Sequence, residues 1–248
     1  MRALFKKVAY RLPAVMLVFI TTACEKPDEA AVVDVQKDKT AVLVLSYEEQ
    51  EQGTDTYPVR VLVSPEFLRM DDGYAASDFV LLDRRQKTIS SVSHPDRSIM
   101  VIKNQHADAD MPADITLRVV REVDEEAPAI TGKQPEQIQY LANDDLCFQS
   151  VTVPGLLQDA VRAMEEYAQI LANRQLNNMQ SVPLNMRTPC FLSRYVYAPA
   201  RQFQYGLPLQ EWDSSGYSRS LVNFSDREMM PLSLFELPED YDSFSAGQ

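Results

Sequence analysis

Histidine, glycine and cysteine are scarce in this chain, and each scarcity excludes something. Seven glycines in 248 residues are too few for a fibrous or disordered chain, and there is no internal repeat or low-complexity tract. The two histidines leave little material for a metal centre or a general base. His94 lies in Ser93-His94-Pro95-Asp96-Arg97, which reads as a tight turn, and His106 lies in the polar loop Gln105-His106-Ala107-Asp108-Ala109-Asp110. If the loops met, both histidines with Asp96, Asp108 or Asp110 could hold a divalent ion, but no spacing demands it, and solvated turn residues are the better reading. No GxSxG elbow is present, and no carboxylate pair stands out among the many acids. The expectation is therefore a protein with no enzyme activity, no metal and no cofactor.

Positive charge is also short. Lysine and arginine total 24 against 36 acidic residues, a formal net charge of −12. Such a balance opposes binding to nucleic acid and to anionic lipid surfaces. No acidic block is long enough to be an interaction tail, so the acidity suits solubility.

Four of the basic residues, Arg2, Lys6, Lys7 and Arg11, sit together at the amino end. An uncharged apolar run from Leu12 to Ile20 follows, then Thr21-Thr22-Ala23-Cys24. The run is shorter than the about 20 residues that a membrane span needs. A basic front, a short apolar stretch and small residues before a cysteine resemble a bacterial lipoprotein signal, with Thr21 in place of the commoner aliphatic residue. That resemblance implies a signal peptide over residues 1–23 and acylation of Cys24 as the new N-terminus. A conventional secretory cleavage beside a chance cysteine is the alternative. Each buried acyl methylene supplies about 0.8 kcal/mol, and stable anchoring takes more than one chain, a need that triacylation meets. Glu25 follows the cysteine. An Asp there would resemble the inner-membrane retention signal of Gram-negative lipoproteins. Its absence favours a cell-envelope address on the outer membrane, facing the periplasm, in an organism with that sorting system.

Removal of the leader leaves Cys147 and Cys190 as the remaining thiols. In an oxidising compartment two such thiols usually bridge, and a loop of this length contributes roughly 4 kcal/mol in the chain-entropy model. Two buried free thiols are the alternative. Zinc is disfavoured, since neither cysteine has a CxxC partner or a nearby histidine.

Residues 24–39 are polar and read as a tether, leaving 40–248 as one domain with a real core. Strand texture begins at Ala41-Val42-Leu43-Val44-Leu45. Tyr57, Val59, Val61 and Val63 alternate with Pro58, Arg60, Leu62 and Ser64, the period of a half-buried strand. Strands also follow at Phe67 to Met70, Asp78 to Leu82, Thr88 to Ser93, Ser98 to Lys103 and Asp114 to Val123, separated by polar turns, which predicts an antiparallel meander. Asp124 to Gln137 reads as an acidic connector and Leu146 to Val153 as a further strand. Then the period changes. Leu157, Val161, Met164, Ala168 and Leu171 recur at helical spacing, predicting a helical insert over about 154–179 between the two cysteines. Strand character returns at Phe191 to Ala198, and Leu207 to Asp213 with Tyr217 to Phe224 reads as a hairpin about Ser214-Ser215-Gly216. Pro231 to Pro238 reads as a short apolar plug. The fold class is therefore α+β, an antiparallel sheet with a helical excursion packed on one face.

Several segments resemble a known family. SPEFLRMDDG at 64–73, DFVLLDRRQKTISSVSH at 78–94, SIMVIK at 98–103 and LSLFELPEDY at 232–241 are similar in order to envelope lipoproteins of the DUF4412 type, related in architecture to the LolA/LolB-like superfamily. The shared pattern is Arg69-x-Asp71-x-Gly73, Asp83-Arg84-x-x-Lys87-x-Ile89 and the ending Leu234-Phe235-x-Leu237-Pro238-x-x-Tyr241. The resemblance implies a curved, half-barrel sheet with helices against its concave face, a space that receives lipid or acyl chains in better-known relatives. No ligand residues carry over from it.

The apolar residues themselves suggest a lining. Phe67, Met70, Phe79, Leu81, Ile89, Met100 and Ile102 are expected on one sheet face, with Leu157, Val161, Met164 and Leu171 opposite. They make either an ordinary packed core or an incompletely filled groove for an acyl chain, to which methionines adapt well. The expected function is a membrane-anchored envelope lipoprotein that binds a hydrophobic or lipid ligand. The alternative is a structural or signalling partner of another envelope protein, with no cavity.

Overall fold

The computed structural model describes residues 38–246 apart from 75, 108 and 124. The signal peptide at 1–23, Cys24 and all but the end of the 24–39 tether lie outside the described residues. The chain first lays down six strands in succession: β1 (Lys39–Gln50), β2 (Tyr57–Val63), β3 (Phe67–Asp71), β4 (Phe79–Asp83), β5 (Thr88–Ser93) and β6 (Ser98–Lys103). Three more follow, β7 (Leu117–Val123), β8 (Glu136–Ala142) and β9 (Asp145–Val153). Then come the helices α1 (Gln158–Asn177) and α2 (Pro189–Leu192), and finally β10 (Leu207–Trp212), β11 (Ser218–Pro231) and β12 (Asp242–Ser245). Among the described residues no helix is long and apolar enough to cross a membrane.

All twelve strands join one open, curved sheet in the order β12-β6-β5-β4-β3-β2-β1-β11-β10-β9-β8-β7. Two meanders run outward from a central seam, where β1 pairs antiparallel with β11 from Lys39↔Pro231 to Gln50↔Ser218. The connection between them accounts for the curvature. Flat, ten strand spacings of about 4.8 Å would place β6 and β7 roughly 48 Å apart. Residues 104–116 must bridge that gap, and even fully extended they reach only roughly 50 Å. They are not fully extended, because Ile115 N–H donates to Pro112 O in a turn. A sheet that curls shortens the span that the connection has to cover.

The expectation of a wholly antiparallel sheet is corrected at one edge. β12 runs parallel to β6, from Asp242↔Ser98 to Ser245↔Val101. No hairpin leads into β12. The chain arrives from β11 through a 3-10 turn at Leu232–Phe235, so its direction is not fixed by a tight turn.

The helical insert falls where the periodicity places it. α1 starts after Pro154 and Gly155 and ends at Asn177. It buries Ala160, Val161, Ala163, Met164 and Ile170 against Leu45, Val63, Leu68, Leu82 and Ile89 of the sheet. Glu166 fixes its position, being held by Arg84 Nε at 3.0 Å and Lys87 Nζ at 3.2 Å from the β4–β5 turn. Burial pushes this carboxyl up, but the hydrogen bonds from Arg84 and Lys87 outweigh it and leave it below its usual range.

Two local expectations fail. Phe191 to Ala198 is not a strand. It forms α2 and a π-helical turn at Ser193–Tyr197. The Thr188 hydroxyl accepts from Phe191 N–H and Pro189 occupies the first turn, both start signals for a helix. The apolar residues Phe191, Leu192, Tyr195 and Val196 also fit helical spacing, and the rings of Phe191 and Tyr195 meet at 5.6 Å. The connector expected to run to Gln137 already contains the start of β8 at Glu136, where Ile138, Tyr140 and Ala142 alternate inward.

The sheet's other face carries its own core. Val44, Leu62, Phe79, Leu81 and Ile99 pack with Phe235 of the 3-10 turn, so the expected apolar plug forms only through Leu234 and Phe235, while Leu232 and Leu237 stay exposed. Asp71 anchors it. Its carboxylate accepts from Arg60 at 2.8 and 2.9 Å and from Arg69 at 2.6 Å. Arg69 in turn donates to Leu234 O at 2.6 Å and stacks 3.7 Å over the Phe79 ring.

Candidate functional site

Strand parity divides the expected lining. Side chains three apart on a strand face opposite ways, so Phe67 and Met70 cannot share a face. Met70 and Met100 pack with Leu157, Val161, Met164 and Leu171 on the helix side. Phe67, Phe79 and Leu81 pack on the far side with Phe235; the rings of Phe67 and Phe235 stack at 5.6 Å. The expectation that seven residues share one sheet face is thus corrected: Met70, Ile89, Met100 and Ile102 face the helix, and Phe67, Phe79 and Leu81 face away from it.

On the helix side the packing is incomplete. A cavity of about 380 Å³ lies between α1, β3 and the segment 194–203, within the range of small-ligand sites. One wall is apolar and includes Leu68, Met70, Met164, Ala168, Leu171 and Phe203. Met70, Met164 and Leu171 were expected there. The opposite end is polar, with Glu51, Arg194, Gln202, Tyr217 and Arg219. A larger depression of about 530 Å³, near Tyr57 and Asp72, is more open to solvent and lies outside the helix–sheet interface.

The arginines at the polar end were not expected. Arg219 follows Tyr217 and precedes Leu221 on β11, and alternation turns it toward the helix side, where it pairs in register with Glu49. Its guanidinium lies 3.7 Å over the Tyr47 ring. Nε lies 3.0 Å from Glu49 Oε1 and Nη1 3.9 Å from Glu211 Oε2. These are ion-pair distances without directed bonds, and both Arg219 Nε and Glu211 Oε1 are buried with no hydrogen-bond partner among the described residues. Burial opposes the charge on Arg219, but Tyr47, Glu211 and Glu49 outweigh it and hold its pKa above the usual value. Burial pushes the Glu49 carboxyl up, with Arg219 opposing and Glu211 adding. It pushes the Tyr47 phenol up to about 12 and raises Tyr217 as well.

Arg194 projects from the π-helical turn. Its Nη1 donates to Asp213 Oδ2 at 3.1 Å, and its guanidinium sits among the rings of Phe148, Tyr195 and Tyr217 at 4.4–5.6 Å. Asp213 is itself fixed by the hairpin turn, accepting from Ser215 N–H at 2.8 Å. An inward-facing arginine at a strand position between two apolar residues is the signal that would have revealed Arg219. Arg194 gives no such signal, because its placement depends on a helix read as a strand.

Cys147 of β9 and Cys190 of α2 form a disulfide with Cα atoms 5.1 Å apart and a sequence separation of 43. It ties the return segment, and with it Arg194, to the sheet beside the stacked rings of Tyr140 and Phe148, whose centroids are 4.2 Å apart. His94 holds the segment that leads into β12. Its Nδ1 lies 2.8 Å from Tyr241 Oη, and its ring is flanked by Phe79 and Tyr241. Asp108 lies outside the described residues, and among the described residues no three His, Cys, Asp or Glu gather as metal ligands.

No family model matches the chain, and neither does any curated protein. Among solved structures it is similar to PNGF-II, with a TM-score of 0.39 and 8% identity over 84% of this chain and 31% of that one. The chain thus spans about a third of that protein, a likeness too low to bear on function.

Proposed function

We propose that this chain is an envelope lipoprotein, anchored through acylated Cys24, whose body is a binding module for a hydrophobic or lipid ligand. The observation that carries this reading is the cavity of about 380 Å³ between α1 and the sheet, walled by Met70, Met164 and Leu171. A packed interface of sheet and helix would leave no such space, because protein interiors fill to crystal-like density. The DUF4412-type resemblance supports the same reading, since a LolA-like half-barrel holds acyl chains on its concave face. Native mass spectrometry of the mature chain, purified without detergent, tests it. The wild type should carry a bound mass, and Ala168→Trp, which fills the cavity, should lose it. A wild type that is consistently empty overturns the proposal. Labelling with a palmitate analogue tests the anchor, with label expected on the wild type and absent from Cys24→Ala.

A second reading, docking of another envelope protein, is favoured by β7. This outer strand exposes Val120 and Val123 and has an unpaired edge in the sheet order, which a partner strand could extend. Crosslinking in intact envelopes should then recover one protein reproducibly through β7.

A further inference from the structure

The charges at the polar end of the cavity restrict the head group of any ligand there. Arg219 is a donor in search of an acceptor. It lines the cavity, lies 3.7 Å over the Tyr47 ring, and its Nε makes no directed hydrogen bond to the Glu49 carboxylate 3.0 Å away. A guanidinium presents five N–H donors and no acceptor. The ligand atom that meets it must therefore be an oxygen that accepts.

That oxygen should carry no net negative charge. The two cations are already matched or outnumbered. Arg194 is paired one-to-one with Asp213. Arg219 is shared between Glu49 and Glu211, and Glu51 adds a further carboxylate at the mouth. A free carboxylate or phosphate entering here would meet an excess of negative charge in a partly desolvated space, where like charges repel more strongly than in water. A carbonyl accepts the same hydrogen bond without that repulsion. Resting on the binding reading above, we infer that the cavity takes an uncharged acyl ester or amide. The chain lies along Met70, Met164 and Leu171, and the carbonyl oxygen accepts from Arg219. A free fatty acid or a phospholipid head is excluded.

Calorimetric titration of the mature chain at neutral pH and below micellar concentration tests this. The probes are a long-chain monoacylglycerol, the primary fatty amide, the free fatty acid and the corresponding alkane, so the ester and amide arms separate the two sources of the carbonyl. The ester or the amide should bind at least about tenfold more tightly than the acid. Arg219→Lys, which keeps the charge and loses the planar fork, should weaken the carbonyl ligands by about tenfold and leave the alkane unchanged. An acid that binds as well as the ester overturns the inference while leaving acyl binding intact. So does a carbonyl ligand whose affinity ignores Arg219→Lys. If no probe binds, both the binding reading and the inference fail.

Discussion

Arg219 lies over the Tyr47 ring, its guanidinium carbon 3.7 Å from the centroid, with Glu49 and Glu211 as its ionic neighbours. Charge, ring and carboxylates are all largely withdrawn from water at a position where alternation would otherwise place an apolar side chain. Stability and recognition therefore meet in one residue.

Replacement of that cation should be costly in a way that depends on pH. Arg219→Met leaves the buried Glu211 and the partly buried Glu49 without a counter-charge, which costs about 3–5 kcal/mol for a broken buried pair. Without the guanidinium the Glu49 carboxyl, which burial already pushes up and Arg219 holds down, rises further above its unfolded value. The cost is then complete at pH above that raised value and is relieved as acidification protonates Glu49. Urea unfolding at neutral and mildly acidic pH should show the deficit of the variant shrinking on acidification.

Asp71 works with the opposite sign. Burial raises its carboxyl, but the hydrogen bonds from Arg60 and Arg69 prevail and hold it below the usual value. Its stabilisation is present above the unfolded carboxylate value and is lost as pH falls through the lower folded one. Asp71→Asn should cost about 3–5 kcal/mol at neutral pH, because Arg69 stays buried without its partner. The acid unfolding curve of the variant should also be flatter than that of the wild type over the same range.

The disulfide should matter to both stability and the polar end of the cavity. Cys190→Ser should lower stability by about 2–5 kcal/mol and loosen Arg194 from Asp213. Thermal melts of oxidised and reduced protein check the first, and equal melting would contradict it.

Gly206 is fixed by close approach. Its φ is +127, and a Cβ there would lie 2.3 Å from Val153 O. Gly206→Ala should therefore destabilise by more than about 1 kcal/mol, in contrast to the gain that Gly→Ala gives at a compatible site. Denaturant unfolding of the single variant measures it.

The elements that could be read from sequence are those whose local signal agrees with their tertiary setting. The meander from β1 to β6 shows period-2 alternation bounded by turns, and α1 shows an unbroken apolar stripe. The resembling turn Asp83-Arg84-x-x-Lys87 has a physical role that no pattern displays. It grips Glu166 of the helix. What was missed depends on pairing. Phe67 and Met70 lie in one apolar run, and only register shows that they face opposite cores. Residues 191–198 are rich in β-prone side chains, yet the Thr188 cap and Pro189 start a helix. Arg194 and Arg219 each look like surface charge until Asp213, Glu49 and Glu211 are brought beside them by hairpin and seam.

The seam between β1 and β11 has a kinetic consequence. The first strand of the body finishes its pairing with one of the last, so the longest ladder in the sheet has to wait until nearly the whole chain has been synthesised. Hairpins on either flank can close early from neighbouring residues, whereas the middle closes late and at high entropic cost. Refolding should thus proceed as two quick flanks followed by one slow zipping of the centre. Until that step completes, β1 presents a bare edge on which unwanted copies of the chain can template.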